Sequence, residues 1–550
     1  MFPAMDTTKK MDLDTMLKEL GQFGRYQLYY YFLLVFPIVF CGYTGLEYVF
    51  VTMDIPHRCR VPECEGVSGP VEFSPDWLPR AVPYTEDEEP EQCWRYRPRE
   101  GDPQPHCPAD LFDTNVTVGC GDWVFQEPVR TIVQDFELFC PEDEWKLAAV
   151  GSFGVLASFA GLPLAGIFSD RFGRKTTLVV GVVFGAISQL YLSFVNNLTT
   201  FLRAQLVLGF MAGFVYGPCF ILALEMLSHE KKLLGSMLIN IYFCLGEVLL
   251  GLAMWWLQDW RPLLRLLSVP MLALVSYFWI LPESVRWLYA RGKYDEVEKI
   301  LCSIAETNQT THKLPAVLEH LRDHSMNREL TLTGNEDSPK SSVSYIQVLQ
   351  SKIIMFRLVI CCFCWMAILF TYYGLTLDSV SIGGNRYVNF ILMSLVEIPA
   401  SVVSLWVPDI PALGRRWTTA GSFFISGAAC WAFWLIDEED EMWDNVLILT
   451  GKFCSTLTIA VIYLYTAEIF PTELRTSLLA VCSTVGRLGP LFVPQIPLLA
   501  DYMNPMILFG AVSMLGGLLI LGCPETLNTK LPDTIEEAEN IGKTPEHLHT

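Results

Sequence analysis

The sequence predicts an all-α polytopic membrane protein. Hydrophobic residues make up 52% of its 550 residues and aromatic residues 13%, and the mean hydropathy is +0.34. Apolar runs of about 20 residues recur, and a helix of that length crosses roughly 30 Å of hydrocarbon. We expect twelve spans, at 26–50, 146–168, 176–195, 201–224, 233–256, 262–281, 353–375, 387–407, 416–436, 445–466, 476–500 and 505–523.

Basic residues indicate the orientation of these spans. They occur in the N-terminal segment and in the short loops after even-numbered spans, which read DRFGRK, SHEKK, LGRRW and ELRT, whereas the alternate loops contain few of them. Cytoplasmic loops of membrane proteins are enriched in Lys and Arg. We therefore expect a multi-pass protein of the plasma membrane, with both termini in the cytoplasm. The first apolar run is too long for a cleaved signal peptide and lacks a small-residue cleavage site.

The loop after the first span, residues 51–145, is expected to lie outside the cell. It holds 21 acidic and 7 basic residues, so it carries −14 of the formal net charge of −21. Salt screens such charge within about 8 Å, which favours a solvated acidic face over a device for attracting cations. Asn115, in the sequence NVT, is a predicted glycosylation site. Six of the 17 cysteines lie in the loop and predict three disulfides, with fifteen possible pairings: Cys59, Cys64, Cys93, Cys107, Cys120 and Cys140.

The two halves of the chain repeat each other. GIFSDRFGRK matches PDIPALGRR, LEML matches AEIF and LPES matches CPET, at offsets of 241, 243 and 242 residues. Such a repeat predicts two six-helix bundles. The expected parts are a cytoplasmic N-terminus at 1–25, a first bundle at 26–281 that includes the loop 51–145, a linker at 282–352, a second bundle at 353–523 and a cytoplasmic tail at 524–550.

The repeated cytoplasmic loops are rich in charge and lie next to acidic helix ends. Pairs between them could hold the bundles in one state and release them in the other, which would bias alternating access. The alternative is that these charges only set orientation and solubility. The predicted gating residues are Asp170, Arg171, Arg174, Lys175, Glu225, Arg415, Arg416, Glu468 and Arg475.

Several of these segments resemble a known family. SDRFGRK resembles the loop motif of the major facilitator superfamily, and LPESVRWLYARGKYDEVEKIL, TYYGLTLD, VEIPA, YLYTAEIFPTELRT and PETLNTKLPDTIEE together are similar to its organic cation, organic anion and carnitine transporters. The resemblance covers about residues 20–540. Val285, where the family usually has proline, is one departure. The resemblance implies the major facilitator fold, with a Cys-rich extracellular loop, and a transporter of small organic ions.

Two charges inside predicted spans are candidate substrate ligands. A charge at the bilayer centre costs about 2.5–3.5 kcal/mol on insertion scales and therefore usually faces a cavity or a partner. Arg487 lies near the middle of the eleventh span, and Pro490 should disturb the helix beside it. Glu247 on the fifth span lies at nearly the same depth, because the repeat offset carries it to position 489. The two residues either neutralise each other or bind opposite ends of a substrate.

Five further residues complete the predicted site. The resemblance implies that Trp365 and Tyr372, on the seventh span, supply aromatic walls that attract a cation, and Tyr373 lies alongside them; such residues are also common at membrane interfaces. Glu397 in VEIPA is expected near the centre of the eighth span, in a packing or gating role. Glu47 is expected near the external end of the first span, where its carboxylate can reach water or coordinate a cation at the entrance.

Arg487 also bears on the substrate. By the resemblance, organic cation carriers have an acidic residue at this position, whereas anion and carnitine carriers tend to have arginine. An arginine can bind a carboxylate through two hydrogen bonds, which favours a carboxylate-bearing or zwitterionic substrate such as carnitine. A polyspecific organic cation transporter and an organic anion exchanger are the alternatives.

Other classes of protein are less consistent with the sequence. It contains no G-x-x-x-x-G-K-[ST] loop, no HExxH and no G-x-S-x-G, so we expect no enzyme, no cofactor and no nucleic-acid partner. The rival from another class is a non-transporting receptor on a transporter scaffold, which the intact GIFSDRFGRK and LGRRW loops disfavour. The sequence leaves open whether sodium, protons, exchange or the membrane potential drives transport, and the oligomeric state as well.

Overall fold

The computed structural model gives each predicted span as a helix. It describes residues 13–65, 71–85, 89–99, 107–108, 111–228, 231–322, 350–380, 383–435, 441–472, 474–499, 502–529, 531–532 and 534–542. Within these ranges, ten helical segments are long and apolar enough to cross a membrane. The other two predicted spans correspond to the helix Gly414–Leu435 and the shorter apolar helix Pro505–Ile520.

We label the span helices α1 to α12. Three of them are interrupted and continue as a second helix, and α6 continues through a 3₁₀ turn. Their bounds are α1 Arg25–Val51, α2 Glu144–Phe172, α3 Arg174–Leu192, α4 Leu198–Ala212 and Tyr216–Glu225, α5 Lys232–Leu257, α6 Trp260–Leu272 and Tyr277–Ile280, α7 Lys352–Asp378, α8 Arg386–Leu395 and Glu397–Val403, α9 Gly414–Leu435, α10 Glu441–Ile469, α11 Arg475–Gly486 and Leu488–Phe492, and α12 Pro505–Ile520.

Short helices surround these spans. An amphipathic helix precedes α1, two helices follow α6 and one follows α12, while the remainder lie in the Cys-rich loop or at span ends. The α-helices are Leu13–Glu19, Pro62–Glu65, Leu78–Ala81, Ile132–Asp135, Val285–Ala290, Tyr294–Thr307 and Ile535–Asn540, and the 3₁₀ helices are Pro141–Asp143, Ala273–Ser276, Thr311–Lys313, Val407–Asp409, Val493–Gln495 and Pro497–Leu499. Residues 323–349 of the predicted linker lie outside the described ranges.

The Cys-rich loop contains β-structure that the sequence reasoning did not predict. Strand β1 (His57–Cys59) pairs antiparallel with β4 (Trp123–Phe125), and β2 (Trp94–Pro98) pairs antiparallel with β3 (Phe112–Gly119). Asn115 is exposed on β3. The six predicted cysteines form three disulfides, which link Cys59 with Cys120, Cys64 with Cys107, and Cys93 with Cys140.

The two bundles contact each other at the end that carries the Cys-rich loop, which we call the loop face. Phe50 of α1 packs edge-on against Phe390 of α8, with ring centroids 4.7 Å apart. Near this face, Gln495 donates a hydrogen bond of 2.8 Å to Ser152 of α2. At the outer edge, Arg386 of α8 pairs with Glu127 of the loop at 3.0 Å. These contacts close the loop face.

His57 fixes the base of the Cys-rich loop. Its ring nitrogens face two backbone carbonyls, with Nδ1 2.8 Å from the oxygen of Ile55 and Nε2 3.1 Å from that of Phe139. Both nitrogens can donate only when the ring is protonated. Burial lowers the pKa of His57, but the hydrogen bond and charge of Asp54, together with the two carbonyls, outweigh it and raise the pKa above its usual value.

The raised pKa predicts that His57 stabilises the loop more at low pH. The contribution is fully present below the unfolded pKa of about 6.5 and is lost as pH rises through the higher folded value. We therefore expect the unfolding temperature of the full-length protein to exceed that of a His57→Gln variant, by a margin that shrinks between about pH 6 and pH 8. Thermal unfolding in detergent measures the difference, and a margin independent of pH would contradict the prediction.

Candidate substrate cavity

A cavity of about 250 Å³ lies between the two bundles. Helices α1, α2, α4 and α5 of the first bundle and α7, α8, α10 and α11 of the second contribute to its wall. The wall is largely aromatic and small, with hydroxyl and amide groups interspersed. Its aromatic members are Tyr48, Tyr216, Phe243, Trp365, Tyr372, Tyr373 and Tyr463, and its neutral polar side chains are Thr44, Ser158, Gln205, Asn240, Ser401, Thr456 and Ser483.

Arg487 lines this cavity at a break in α11. The first part of the helix ends at Gly486, and the second begins at Leu488. Just after the break, Gly489 lets α11 pack closely on α7, since an added Cβ would clash with the backbone oxygen of Met366. The irregular helix expected beside Pro490 is therefore present, and it presents the Arg487 guanidinium to the cavity.

The Arg487 guanidinium has no acidic partner in the described parts of the chain. No carboxylate there lies within 4.0 Å of it, although several other buried charges have such partners. The phenols of Tyr216, Tyr373 and Tyr463 line the same cavity as this guanidinium. The ion pair between Arg487 and Glu247, one of the two alternatives, does not form in this structure.

Glu397 instead pairs with Lys452, a residue that the sequence reasoning missed. The Lys452 Nζ lies 2.8 Å from the Glu397 Oε1, and both side chains are almost fully buried, at 0% and 4% exposure. The same ammonium donates to the Thr376 hydroxyl at 2.6 Å and lies 3.2 Å from the centre of the Tyr372 ring. Glu397 touches the cavity wall, but its charge is already neutralised there.

Glu247 lies behind Tyr372 and does not line the cavity. The Tyr372 hydroxyl bridges two carboxyl groups, 2.6 Å from Glu397 Oε1 and 3.2 Å from Glu247 Oε1. The other oxygen of Glu247 has no hydrogen-bond partner among the described residues, although the residue is fully buried. Glu247 thus joins a cluster with Glu397 and Lys452 rather than the cavity surface.

The predicted aromatic residues do reach the cavity. Trp365 is anchored by a hydrogen bond from its Nε1 to the Thr466 hydroxyl at 3.0 Å, and its ring meets Tyr463 edge-on with centroids 4.2 Å apart. Tyr372 is held by the carboxyl groups behind it. Tyr373 is half-buried and packs edge-on against Tyr372. The wall that these rings form is therefore fixed rather than free to rotate.

The environment of Glu47 differs from the one expected. The expected route of its side chain to water is wrong, because the residue is only 2% exposed and accepts a hydrogen bond from Gln189 of α3. Helix α1 packs inside the first bundle, and residue 47 therefore points to neighbouring helices rather than to the surface. Glu47 is also absent from the cavity wall.

At the opposite end of the bundles, which we call the basic face, the first bundle forms one charged network. Arg174 pairs with Asp170 at 3.0 Å and with Glu225 at 3.5 Å. The Glu283 carboxylate accepts hydrogen bonds from the backbone nitrogens of Arg174 and Lys175, at 2.9 and 3.1 Å. Glu283 therefore caps the N-terminus of α3, where unpaired N–H groups and the helix dipole favour an anion.

The second bundle repeats this network. Arg415 pairs with Asp409 at 2.7 Å and with Glu468 at 3.3 Å. Glu525 accepts from the backbone nitrogens of Arg415 and Arg416 at 2.8 and 3.0 Å, and so caps α9. The internal repeat seen in the sequence is therefore a repeat of contacts.

The remaining predicted gating residues make weaker contacts. Arg171 lies over the ring of Phe172, 5.6 Å from its centre, and Arg475 donates to the Thr472 hydroxyl at 3.2 Å. Among the ion pairs that the structure describes, those of Arg174 and Arg415 each stay within one bundle. Among the described residues of these loops, the ion pairs of Arg174 and Arg415 therefore do not join the bundles in this conformation.

The fold and the cavity define a membrane transporter rather than an enzyme. Residues 125–537 match the sugar (and other) transporter family. The chain is similar in structure to the xylose transporter XylE from E. coli in its inward open conformation, with a TM-score of 0.57 at 16% identity over 75% of this chain and 93% of that one. A partially occluded inward open form of XylE gives 0.54 at 15% identity, over 70% and 89%.

Sequence relatives identify the family. The mouse solute carrier family 22 member 21 is 30% identical over 97% of this chain and 94% of its own length. The human organic cation/carnitine transporter 2 is 30% identical over 98% and 96%, and the rat protein of that name is 31% identical over 96% and 94%. The chain belongs to this organic cation and carnitine transporter family of the major facilitator superfamily.

The ion pair of Lys452 with Glu397 yields a stability prediction. A Lys452→Met substitution would leave Glu397 buried without a counter-charge, which typically costs about 3–5 kcal/mol. We expect a correspondingly lower unfolding temperature for the full-length protein in detergent. Adding Glu397→Gln should recover much of that loss, because the orphaned charge is removed. A single variant as stable as the wild type, or a double variant with the summed losses of both single variants, would contradict the prediction.

Proposed function

We propose that this protein transports small organic ions that carry a carboxylate, with a zwitterion such as carnitine as the best candidate. It would work by alternating access, as a secondary-active or facilitative carrier. The single observation behind the proposal is the Arg487 guanidinium, which faces the cavity and has no carboxylate of the described residues within 4.0 Å. A buried cation in a low-dielectric site favours an anionic partner.

The charge balance of the cavity supports a carboxylate. In the described wall, the charged side chains are Glu397 and Arg487, and Lys452 neutralises Glu397 at 2.8 Å. The cavity therefore presents a net positive charge to whatever enters it. A guanidinium binds a carboxylate through two parallel hydrogen bonds, which a simple cation cannot form.

The aromatic wall supports a second, cationic end on the same substrate. The rings of Trp365, Tyr373 and Tyr463 lie in the wall that also holds Arg487. Ring faces attract a quaternary ammonium group by about 0.5–2 kcal/mol without a formal negative charge. Glu247, which lies behind the wall, is not required as a direct ligand.

The names of the relatives agree with this substrate class, since several are organic cation/carnitine transporters. At 30% identity the exact substrate remains a proposal. An organic cation transporter and an organic anion exchanger are the two alternatives, and a receptor without transport is the alternative from another class. Uptake of labelled substrate into vesicles distinguishes a transporter from a receptor, because a receptor would bind substrate saturably without accumulating it inside.

We also propose the orientation and the gate. The basic face would lie in the cytoplasm with both termini, and the loop face outside the plasma membrane, where exposed Asn115 could be glycosylated. The networks of Arg174 and Arg415 would then be the cytoplasmic gate: pairs that stay within each bundle here would re-form between bundles when the cytoplasmic side closes.

Substitution of Arg487 should reduce the transport of different substrates to different extents, according to their charge. We expect Arg487→Asp and Arg487→Gln to weaken carnitine and organic anion transport about tenfold to a hundredfold, since hydrogen bonds to charged groups contribute about 1.5–3 kcal/mol. Uptake of a simple organic cation should fall much less. The measurement is a panel of one cation, one anion and carnitine, each tested with and without sodium, in protein shown to reach the membrane.

Arg265→Gln is the matched control for that panel. Arg265 lies on α6, where its side chain stacks on Phe194 and donates to Ser193, away from the cavity. Its loss should leave substrate preference unchanged. An equal loss of cation and anion transport in the Arg487 variants would indicate a structural role and overturn the proposal.

The aromatic wall gives a second, independent prediction. Tyr373→Leu should raise the KM for a substrate with a quaternary ammonium group about twofold to thirtyfold, because it removes a cation–π contact. Tyr373→Phe retains the ring and should behave like the wild type. Equal KM values for the leucine and phenylalanine variants would exclude a role for the ring face.

A further inference from the structure

The cluster behind Tyr372 consists of Glu247, Glu397 and Lys452, so it contains two acidic groups and one basic group. Glu247 and Glu397 are buried carboxyl groups with 0% and 3% exposure, whereas Lys452 is the cation of the cluster and pairs with Glu397. Lys452 already neutralises Glu397 at 2.8 Å. An ionised Glu247 would add an uncompensated charge inside the hydrocarbon layer, which costs several kcal/mol.

The hydrogen bonds of Tyr372 indicate how that charge is avoided. A phenol has one proton to donate, and the 2.6 Å contact with Glu397 Oε1 is the shorter of its two carboxyl contacts. The 3.2 Å contact between the Tyr372 hydroxyl and Glu247 Oε1 is then a hydrogen bond only if Glu247 is protonated and donates to the hydroxyl oxygen. A protonated Glu247 also removes the charge from its second oxygen, which has no partner in the described chain.

Other helices that pack against Glu247 bring no further counter-charge. On α5 itself, Cys244 donates its thiol to Glu397 at 3.2 Å. Helix α1 packs closely on α5 at Gly42, where an added Cβ would lie 3.1 Å from the Gly246 Cα. The acid of α1, Glu47, accepts a hydrogen bond from Gln189. Several charges on neighbouring helices are engaged elsewhere: Arg261 and Arg265 of α6 bind Ser193, Glu225 of α4 binds Arg174, and Arg487 of α11 faces the cavity.

We propose that Glu247 is a proton-binding site that couples the transport cycle to pH. It lies on α5 of the first bundle, whereas Tyr372, Glu397 and Lys452 lie on α7, α8 and α10 of the second. The closed loop face holds these groups together. When the bundles separate at that face, water reaches Glu247, its carboxyl O–H bond breaks and the proton passes to water, leaving a hydrated carboxylate.

This assignment has a quantitative consequence. If one conformation binds one more proton than the other, the ratio of the two conformations changes by up to about tenfold per pH unit. A proton gradient across the membrane should then drive net movement of substrate. Glu247 itself is not part of the cavity wall, from which Tyr372 separates it.

The first test needs no substrate. Infrared spectra of the purified full-length protein at neutral pH should contain the C=O stretching band of a buried protonated carboxyl group, and Glu247→Gln should lose part of it. Identical carboxyl bands in the two proteins would overturn the proposal. Glutamine retains the size and shape of the side chain and removes only the titratable group.

The second test uses transport and rests on the proposed function. Proteoliposomes are loaded under a proton gradient of either sign and given labelled carnitine. Wild-type protein should accumulate it under one sign of gradient, whereas Glu247→Gln should show no gradient-driven accumulation yet still exchange labelled for unlabelled carnitine. Glu47→Gln is the matched control, because Glu47 is an equally buried acid outside the cluster, and it should behave like the wild type.

The two tests fail in different ways. Absence of carnitine exchange in the wild type would count against the proposed substrate, and the infrared comparison would still decide the protonation of Glu247. Gradient-driven accumulation that persists in Glu247→Gln, or that follows a sodium gradient instead of the proton gradient, would overturn the coupling role.

Discussion

Burying an unpaired charge in the hydrocarbon layer is costly, and this constraint organises the membrane part of the protein. Lys452 and Glu397 neutralise each other across α10 and α8, and the 2.8 Å contact joins two helices of the second bundle. Arg487 has no such partner in the described chain and is left facing the cavity between the bundles. The contrast between a satisfied and an unsatisfied charge distinguishes the structural ion pair from the candidate substrate ligand.

Much of the fold could be predicted from the sequence, because its signals are local or periodic. Apolar runs predicted the spans, and the constant offset predicted the repeat, which recurs in space as the caps Glu283 and Glu525. The position of Arg487 within its span predicted a charge near the cavity. Such features depend on how residues follow each other along the chain, not on which helices become neighbours.

The errors and omissions concern contacts between distant segments. Lys452 is a charged residue in the apolar tenth span, which the sequence alone shows. Its pairing with Glu397 depends on the packing of α8 on α10, which the sequence does not show. Glu47 was expected to reach water, yet Gln189 of α3 lies beside it. The disulfide pairing was likewise open among fifteen choices, since three links between six cysteines depend on how the loop folds back on itself.

The matching caps on α3 and α9 bear on how the two halves differ. Glu283 and Glu525 hold the same two backbone amides in each half, beside Gly173 and Gly414, which have a positive φ of 102° and 65° and whose missing Cβ leaves room for the carboxylate. The cavity shows no such symmetry, because the second bundle supplies both of its charged lining residues. The charged networks of the basic face are thus duplicated, whereas the charged residues that line the described cavity belong to one half. Substitutions in the second half can therefore change the charge of the cavity while both helix caps stay intact.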